Sequence, residues 1–388
     1  DYSPARYVYV IGREFNETAT THFQQKRYLL AWHMACAALE VFTEVLQYAD
    51  DSNGDVGACI TDASELMVSI ANEELPDELR GECFRYCTKA YRDQLFSGWD
   101  WHELQMDIAI QLVNSKEEAA ELHNLLDMVK PSSEGWYYDM RQAEVQRYCL
   151  LRKMDGDEEA NAFLLQNLHN SDLREHLIEQ LVVVGRYDEA IRFCEEGIKK
   201  DGKNFPGLVD KWREWLLKIY LLKKDTDNIV NYAFKLFVSS NLGGDDLYKL
   251  LKEHVPAENW EDMVQKIVQA IRKNERVGEE YRIATIYLRE QYWDELFGLL
   301  KKNPTFTFLD EFEKHMPDRF ADDINQMYMG AVNKLLIKNT GRKFYETACR
   351  YLRKLKKRGA VELVEMKIKQ LRRQYPQRRA LMDELNLV

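Results

Sequence analysis

The sequence predicts an all-α protein: irregular tetratricopeptide-like helical-hairpin repeats stacked as a solenoid, with a short extended N-terminal segment. Three observations carry that expectation. From about Thr20 onward, Leu, Ile, Val and aromatic residues recur at three- and four-residue spacing, the period of a helix with one apolar face. Only 8 prolines and 18 glycines occur in 388 residues, too little turn punctuation for a sheet-rich domain. A helical-hairpin turn signature also recurs, along a chain longer than the ~250–300 residues one core supports, which fits either two domains or one elongated repeat array.

In chain order, the first stretch is Ala5-Arg-Tyr-Val-Tyr-Val-Ile11, alternating and β-branched, which reads as extended; residues 1–19 form this expected segment. Residues 20–130 read as an N-terminal helical subdomain. Residues 131–388 read as the repeats proper, with a basic C-terminal cap. Breaks fall at Asp50–Gly57, Lys130–Gly135, Asp201–Pro206, Asn241–Gly244 and Asn303-Pro304. The chain opens on Asp1 and not Met, which points to a fragment of a longer polypeptide, and no signal-peptide pattern follows.

The repeat signature is clearest at Gly185-Arg-Tyr-Asp-Glu-Ala-Ile191. Gly185 can take the left-handed conformation that ends a helix, and Asp188 and Glu189 suit the first turn of the next. Tyr187 belongs to the same repeat turn, and Ala190 and Gly197 are small residues on one face, allowing close approach of a neighbour. Weaker copies end at Ala160, Ile229, Leu296 (with Trp293) and Ala348. Their spacings of 30, 39, 67 and 52 depart from the ~34 of a regular tetratricopeptide array, so the helix pairs vary in length.

Gly207-Leu-Val-Asp-Lys-Trp-Arg-Glu-Trp-Leu-Leu217 and Tyr375-Pro-Gln-Arg-Arg-Ala-Leu-Met-Asp-Glu-Leu385, with the Asp50–Gly57 loop and Gly185–Ala190, resemble the helical region of bacterial SWIM zinc-finger proteins. The likeness runs from about Ala31 to the C-terminus. It implies a binding role and assigns no reaction to the helical part. The family's zinc element is a Cys-x-Cys…Cys-x-His pattern lying upstream; this sequence holds no Cys-x-Cys, so no zinc ligand carries over.

Catalytic motifs are missing from the sequence: no phosphate loop, no His-Glu-x-x-His, no Gly-x-Ser-x-Gly. The Asp50–Gly57 loop resembles a calcium loop, but its first and twelfth ligand positions would be Ala49 and Ile60, so it reads as a capped polar turn. Cys83 and Cys87 stand one helical turn apart, yet two thiolates do not close a tetrahedral site without His102 or His123 arriving from elsewhere. They read as core cysteines, and no metal or cofactor is expected. His169 and His176 flank a helix start that Ser171-Asp172 would cap. Trp99, Trp101, Trp136, Tyr137, Tyr138, Trp212 and Trp215 read as packing residues between helix pairs.

Charge is the strongest functional signal. Residues 341–380 carry 14 Lys/Arg against 3 Glu, so an overall charge of −11 leaves −22 on the rest of the chain. The cationic positions are Arg353, Lys354, Lys356, Lys357, Arg358, Arg372, Arg373, Arg378 and Arg379, with Lys367 and Lys369 between them. They read either as a solvated cap on the last repeat or as a contact for nucleic acid or another anion. Seven scattered cysteines suggest a reducing, cytoplasmic setting. The longest apolar stretch, Tyr28 to Phe42, is broken by His33 and Glu40 and is shorter than a bilayer span, so no membrane is expected. The function expected is a non-enzymatic scaffold for a protein or peptide partner; the alternative is a nucleic-acid-binding module using the basic end.

Overall fold

The computed structural model describes residues 4–129, 138–202, 204–239, 244–274 and 278–388. The chain is all-α, and among the described residues there is no strand. The expected breaks at 130–135 and 241–243, with Lys203, Trp136 and Tyr137, lie outside the described residues. Two compact units are present, 1–212 and 213–388.

The first unit begins with α1 (Pro4–Gln24), α2 (Tyr28–Leu46), α3 (Asp55–Ala71) and α4 (Asp77–Arg92). It continues with α5 (Asp100–Leu112), α6 (Lys116–Asp127), α7 (Tyr138–Met154) and α8 (Asp157–Gln166). α9 (Ser171–Val183), α10 (Tyr187–Asp201) and α11 (Pro206–Lys223) follow, the division between units falling inside α11.

The expected extended N-terminal segment is a helix. Beyond Ile11 the apolar alternation gives way to Gly12, Asn16 and Ala19, all buried at helical spacing, and this face packs on α2 and α3. A Cβ on Gly12 would stand 2.5 Å from Phe42 and 2.7 Å from Cys59, so the backbone of α1 lies directly on its neighbours. Burial of that stripe outweighs the β-propensity of four residues.

The expected subdomain boundary near 130 is also replaced. Across it, buried Gln146 of α7 donates to Glu103 O and to Asp107 at 3.0 Å, and Lys153 donates to Ile110 O. Polar bonds from α7 to α5 thus join both sides of the break into one unit.

The second unit takes in α12 (Thr226–Ser239), α13 (Asp245–His254), α14 (Trp260–Lys273), α15 (Glu279–Arg289) and α16 (Trp293–Lys302). After them come α17 (Phe306–Phe312), α18 (Ala321–Lys338), α19 (Arg342–Lys357), α20 (Val361–Gln374) and α21 (Arg379–Leu385).

One turn recurs across both units. Lys26, Gly185, Lys224, Gln291 and Gly359 each sit at φ between 56° and 90° at the end of a helix. In each, the next residue's N–H bonds the carbonyl five positions back, as in Arg186 to Leu181 and Tyr292 to Tyr287, both 2.8 Å. The following helix starts two residues after the left-handed position. Five residues after it, the chain is buried: Ala31, Ala190, Ile229, Leu296 and Val364 are at most 2% exposed. This is the Schellman arrangement, which satisfies the orphan carbonyls of the first helix.

Between these turns the second unit inserts another kind. His254-Val-Pro-Ala-Glu-Asn-Trp-Glu-Asp-Met263 and His315-Met-Pro-Asp-Arg-Phe-Ala-Asp-Asp-Ile324 both run from a helix end through a proline near φ −55° into one turn of 3-10 helix. Then α14 or α18 begins. The left-handed and proline turns alternate, so α13–α16 and α17–α20 are two copies of a four-helix unit. The copies match in detail: Val264 and Asn325, Ile267 and Tyr328, and Ile271 and Val332 are equivalent and all buried. Lys252 pairs with Glu290 at 2.9 Å; at the equivalent positions Glu313 pairs with Arg358, the same bridge with its charges exchanged.

Candidate functional site

The basic C-terminal segment divides into two groups when its partners are traced. Lys354 on α19 reaches Asp310 on α17 at 2.5 Å and also pairs with Glu313, just past the end of α17, which binds Arg358 as well. Tyr328 donates to the same Asp310 at 2.7 Å and Tyr351 at 2.6 Å, with Phe306 stacked on Tyr351 at 3.8 Å. Burial alone would raise the Asp310 carboxyl, but the bonds from Lys354, Tyr351 and Tyr328 outweigh it and hold it below its ordinary value. Burial, with the bond to Asp310, moves the Tyr351 hydroxyl the other way, to about 12. Arg378 donates to Leu336 O at 2.7 Å and lies 4.0 Å over Tyr375. Lys367 is 7% exposed, standing where the preceding copy has Leu299. Lys354, Arg358 and Arg378 are thus structural ties between helices, while Lys367 donates to Gln370 on its own helix at 2.9 Å.

The second group faces outward. Lys356 and Arg372 reach the end of the described chain, at Val388 O (3.1 Å) and Asn386 Oδ1 (2.6 Å). Lys357, Lys369, Arg373 and Arg379 are exposed and make no ion pair among the described residues; Arg353 is half-buried. On α20, Met366, Lys369, Gln370, Arg373 and Gln374 line a shallow concavity of about 530 Å³ without a carboxylate in its wall.

A second surface, in the first unit, was not legible as a site. α2 extends to Leu46, four residues beyond the apolar stretch expected from sequence. By length and composition it is the one helix among the described residues long and apolar enough to cross a membrane. Its apolarity serves two faces. Trp32, Ala35, Leu39 and Phe42 are buried, while Leu30 and Val41 are 45% and 55% exposed. With half-buried Met34 and exposed Ala37 they form an outward stripe at 4-3-4 spacing, and Tyr48 lies exposed just beyond the helix. Ile11 and Phe15 of α1 are exposed too. The sequence signal was a helix apolar nearly all round, which a single buried face does not explain.

The remaining candidates take structural roles. Cys36, Cys83 and Cys87 are buried, and desolvation pushes the Cys83 thiol up to about 12. Among the described residues no group of three or more His, Cys, Asp or Glu is placed to hold a metal ion. The Asp50–Gly57 loop is a cap: Asp51 accepts from Val56 N at 2.8 Å and Gly57 N at 2.9 Å at the start of α3. The cap of α9 is Asn170 and not Ser171-Asp172, because its side chain accepts from Asp172 N at 2.9 Å while holding Arg141 O and Glu144. His169 binds Glu144 at 2.9 Å, and His176 meets Tyr148 edge-on. Trp212 is fully buried, as expected of a packing residue. Trp99 is not: it stacks on Trp101 at 4.9 Å and stays 42% exposed. The repeat-turn residues fall at helix starts and cores, Tyr187 opening α10, Trp293 opening α16, and Ala190 and Ala348 inside.

The chain matches no protein-family model and no curated protein. It is similar to a solved structure described as a circular tandem repeat protein with novel repeat topology and enhanced subunit contact surfaces. The match covers 98% of this chain and 89% of that one, at 14% identity and a TM-score of 0.23.

Proposed function

We propose that this helical-repeat protein is a non-enzymatic scaffold whose α2 stripe binds an amphipathic helix of a protein or peptide partner. The observation that carries the reading is the outward row Leu30, Met34, Ala37 and Val41. A contiguous apolar row on a solvent face marks a contact surface more often than a neutral one. Its 4-3-4 spacing is the seam that a second helix packs against. The SWIM-like segments support placing the scaffold as the helical part of such a protein, acting in the cytoplasm.

A photo-cross-linking residue placed at Val41 in the full chain tests this in cells. The expected product is a discrete protein adduct that survives nuclease and disappears when Leu30 and Ala37 are changed to Glu. Both positions are exposed, so the thermal melt should barely move. Adducts indifferent to those two changes, or lost on nuclease treatment, would refute the reading.

A further inference from the structure

We infer that the outer face of α20 is a nucleic-acid contact, with Lys369 and Arg373 on the phosphodiester backbone and Gln370 and Gln374 beside them. These four side chains recur at i, i+1, i+4 and i+5 and so share one face of a single helix. Lys369, Gln370, Arg373 and Gln374 are all exposed, and they line the same concavity.

Three features select phosphate over an acidic protein surface. The face holds donors only at its charged positions, and its wall has no carboxylate to repel a polyanion. Its one apolar member is Met366, 62% exposed, whereas a protein interface of any strength has an apolar or aromatic centre. The neighbouring cations that could have been neutralised internally have been: Lys354 and Arg358 go to Asp310 and Glu313. Lys369 and Arg373 make no ion pair among the described residues, although Glu365 stands one turn before Lys369 on the same helix; exposed Lys357 on α19 and Arg379 on α21 make none either. Carboxamides alternating with Lys and Arg add neutral donors for phosphate and sugar oxygens. The −22 carried by the rest of the chain repels nucleic acid that comes within a Debye length of ~8 Å, which confines contact to this end.

The test is fluorescence anisotropy with the full chain and three labelled probes: a 20-bp DNA duplex, and single-stranded DNA and RNA of the same sequence. Binding is expected at low salt, with a logarithmic salt slope of about −0.9 per neutralised phosphate for the duplex. Lys369→Gln with Arg373→Gln should flatten that slope by about two. The charge-matched control Arg192→Gln with Lys199→Gln, on exposed positions of α10, should leave it unchanged. Circular dichroism checks that each variant is folded. The three probes decide which strand form supplies the backbone. No binding at low salt, or equal loss in the control, would overturn the inference. Displacement by polyglutamate at equal charge would overturn it as well, since the face would then answer to charge alone.

Discussion

Gly197 on α10 lies against the indole of Trp212: a Cβ built there would stand 2.8 Å from Nε1 and 2.9 Å from two ring carbons. Trp212 is fully buried, and its Nε1 donates to Asp201 at 2.6 Å, so the ring has no freedom to withdraw. Gly197→Ala should therefore destabilise the protein by about 1–3 kcal/mol, overpacking outweighing a helix-propensity gain of about 1 kcal/mol. Gly298→Ala, at an exposed position of α16 with nothing near its Cβ, should instead stabilise by about 0.5–1 kcal/mol. Urea unfolding of the two variants checks the opposite signs.

Lys224 and Gln291 hold the left-handed turn position that Gly185 and Gly359 fill elsewhere. A side chain there costs roughly 1–2 kcal/mol, partly offset by the greater freedom of an unfolded glycine. Lys224→Gly and Gln291→Gly should each raise the melting temperature, and Gly185→Ala should lower it. A fall for both glycine variants would mean that these turns are held by contacts other than their backbone.

Glu290 accepts from Tyr248 (3.0 Å), Lys252 (2.9 Å) and Trp260 (2.8 Å), and its side chain is 8% exposed. Burial would raise its carboxyl, yet the bonds from Lys252, Trp260 and Tyr248 hold it below its ordinary value. The native carboxyl therefore binds its proton less readily than the unfolded one. Its stabilisation is complete above the unfolded pKa and is lost as pH falls through the lower, folded one. Glu290→Gln should make the melt less dependent on pH across that acid range and cost about 1–3 kcal/mol near neutrality. Lys252→Glu with Glu290→Lys should recover part of that loss, because Glu313 and Arg358 hold the exchanged bridge in the next copy.

Cys149 is the exposed cysteine, whereas Cys36, Cys59, Cys83, Cys87, Cys194 and Cys349 are buried. Burial raises even the Cys149 thiol, so its reaction should be slow at neutral pH and quicken as pH rises. Mass spectrometry after maleimide treatment of the native protein should find Cys149 labelled first. Early labelling of Cys83 or Cys87 would show that the core of α2, α3 and α4 opens readily.

The sequence by itself determined the helices and part of their punctuation. Period-3.6 apolar spacing is a local property, and Gly185 and Ala190 announce their turn because glycine tolerates positive φ and alanine permits close packing. Lys26, Lys224 and Gln291 make the same turn without a glycine. Only the weak downstream pattern marked the last two, and Lys26 was unmarked. The paired His-x-Pro segments were readable but are too diverged, outside His and Pro, to stand out before their turns are seen to coincide. Residues 5–11 misled because seven residues cannot distinguish alternation from the start of a helix; the stripe Gly12, Asn16 and Ala19 against α2 and α3 decided it. The basic segment was visible as charge, but its fate was set by residues far away in the chain. Asp310 and Glu313 draw Lys354 and Arg358 inward from more than 40 positions off, and the Leu299-equivalent site buries Lys367. What remains outside is the α20 face, because an ionic group is neutralised only by neighbours in space, which tertiary packing alone supplies.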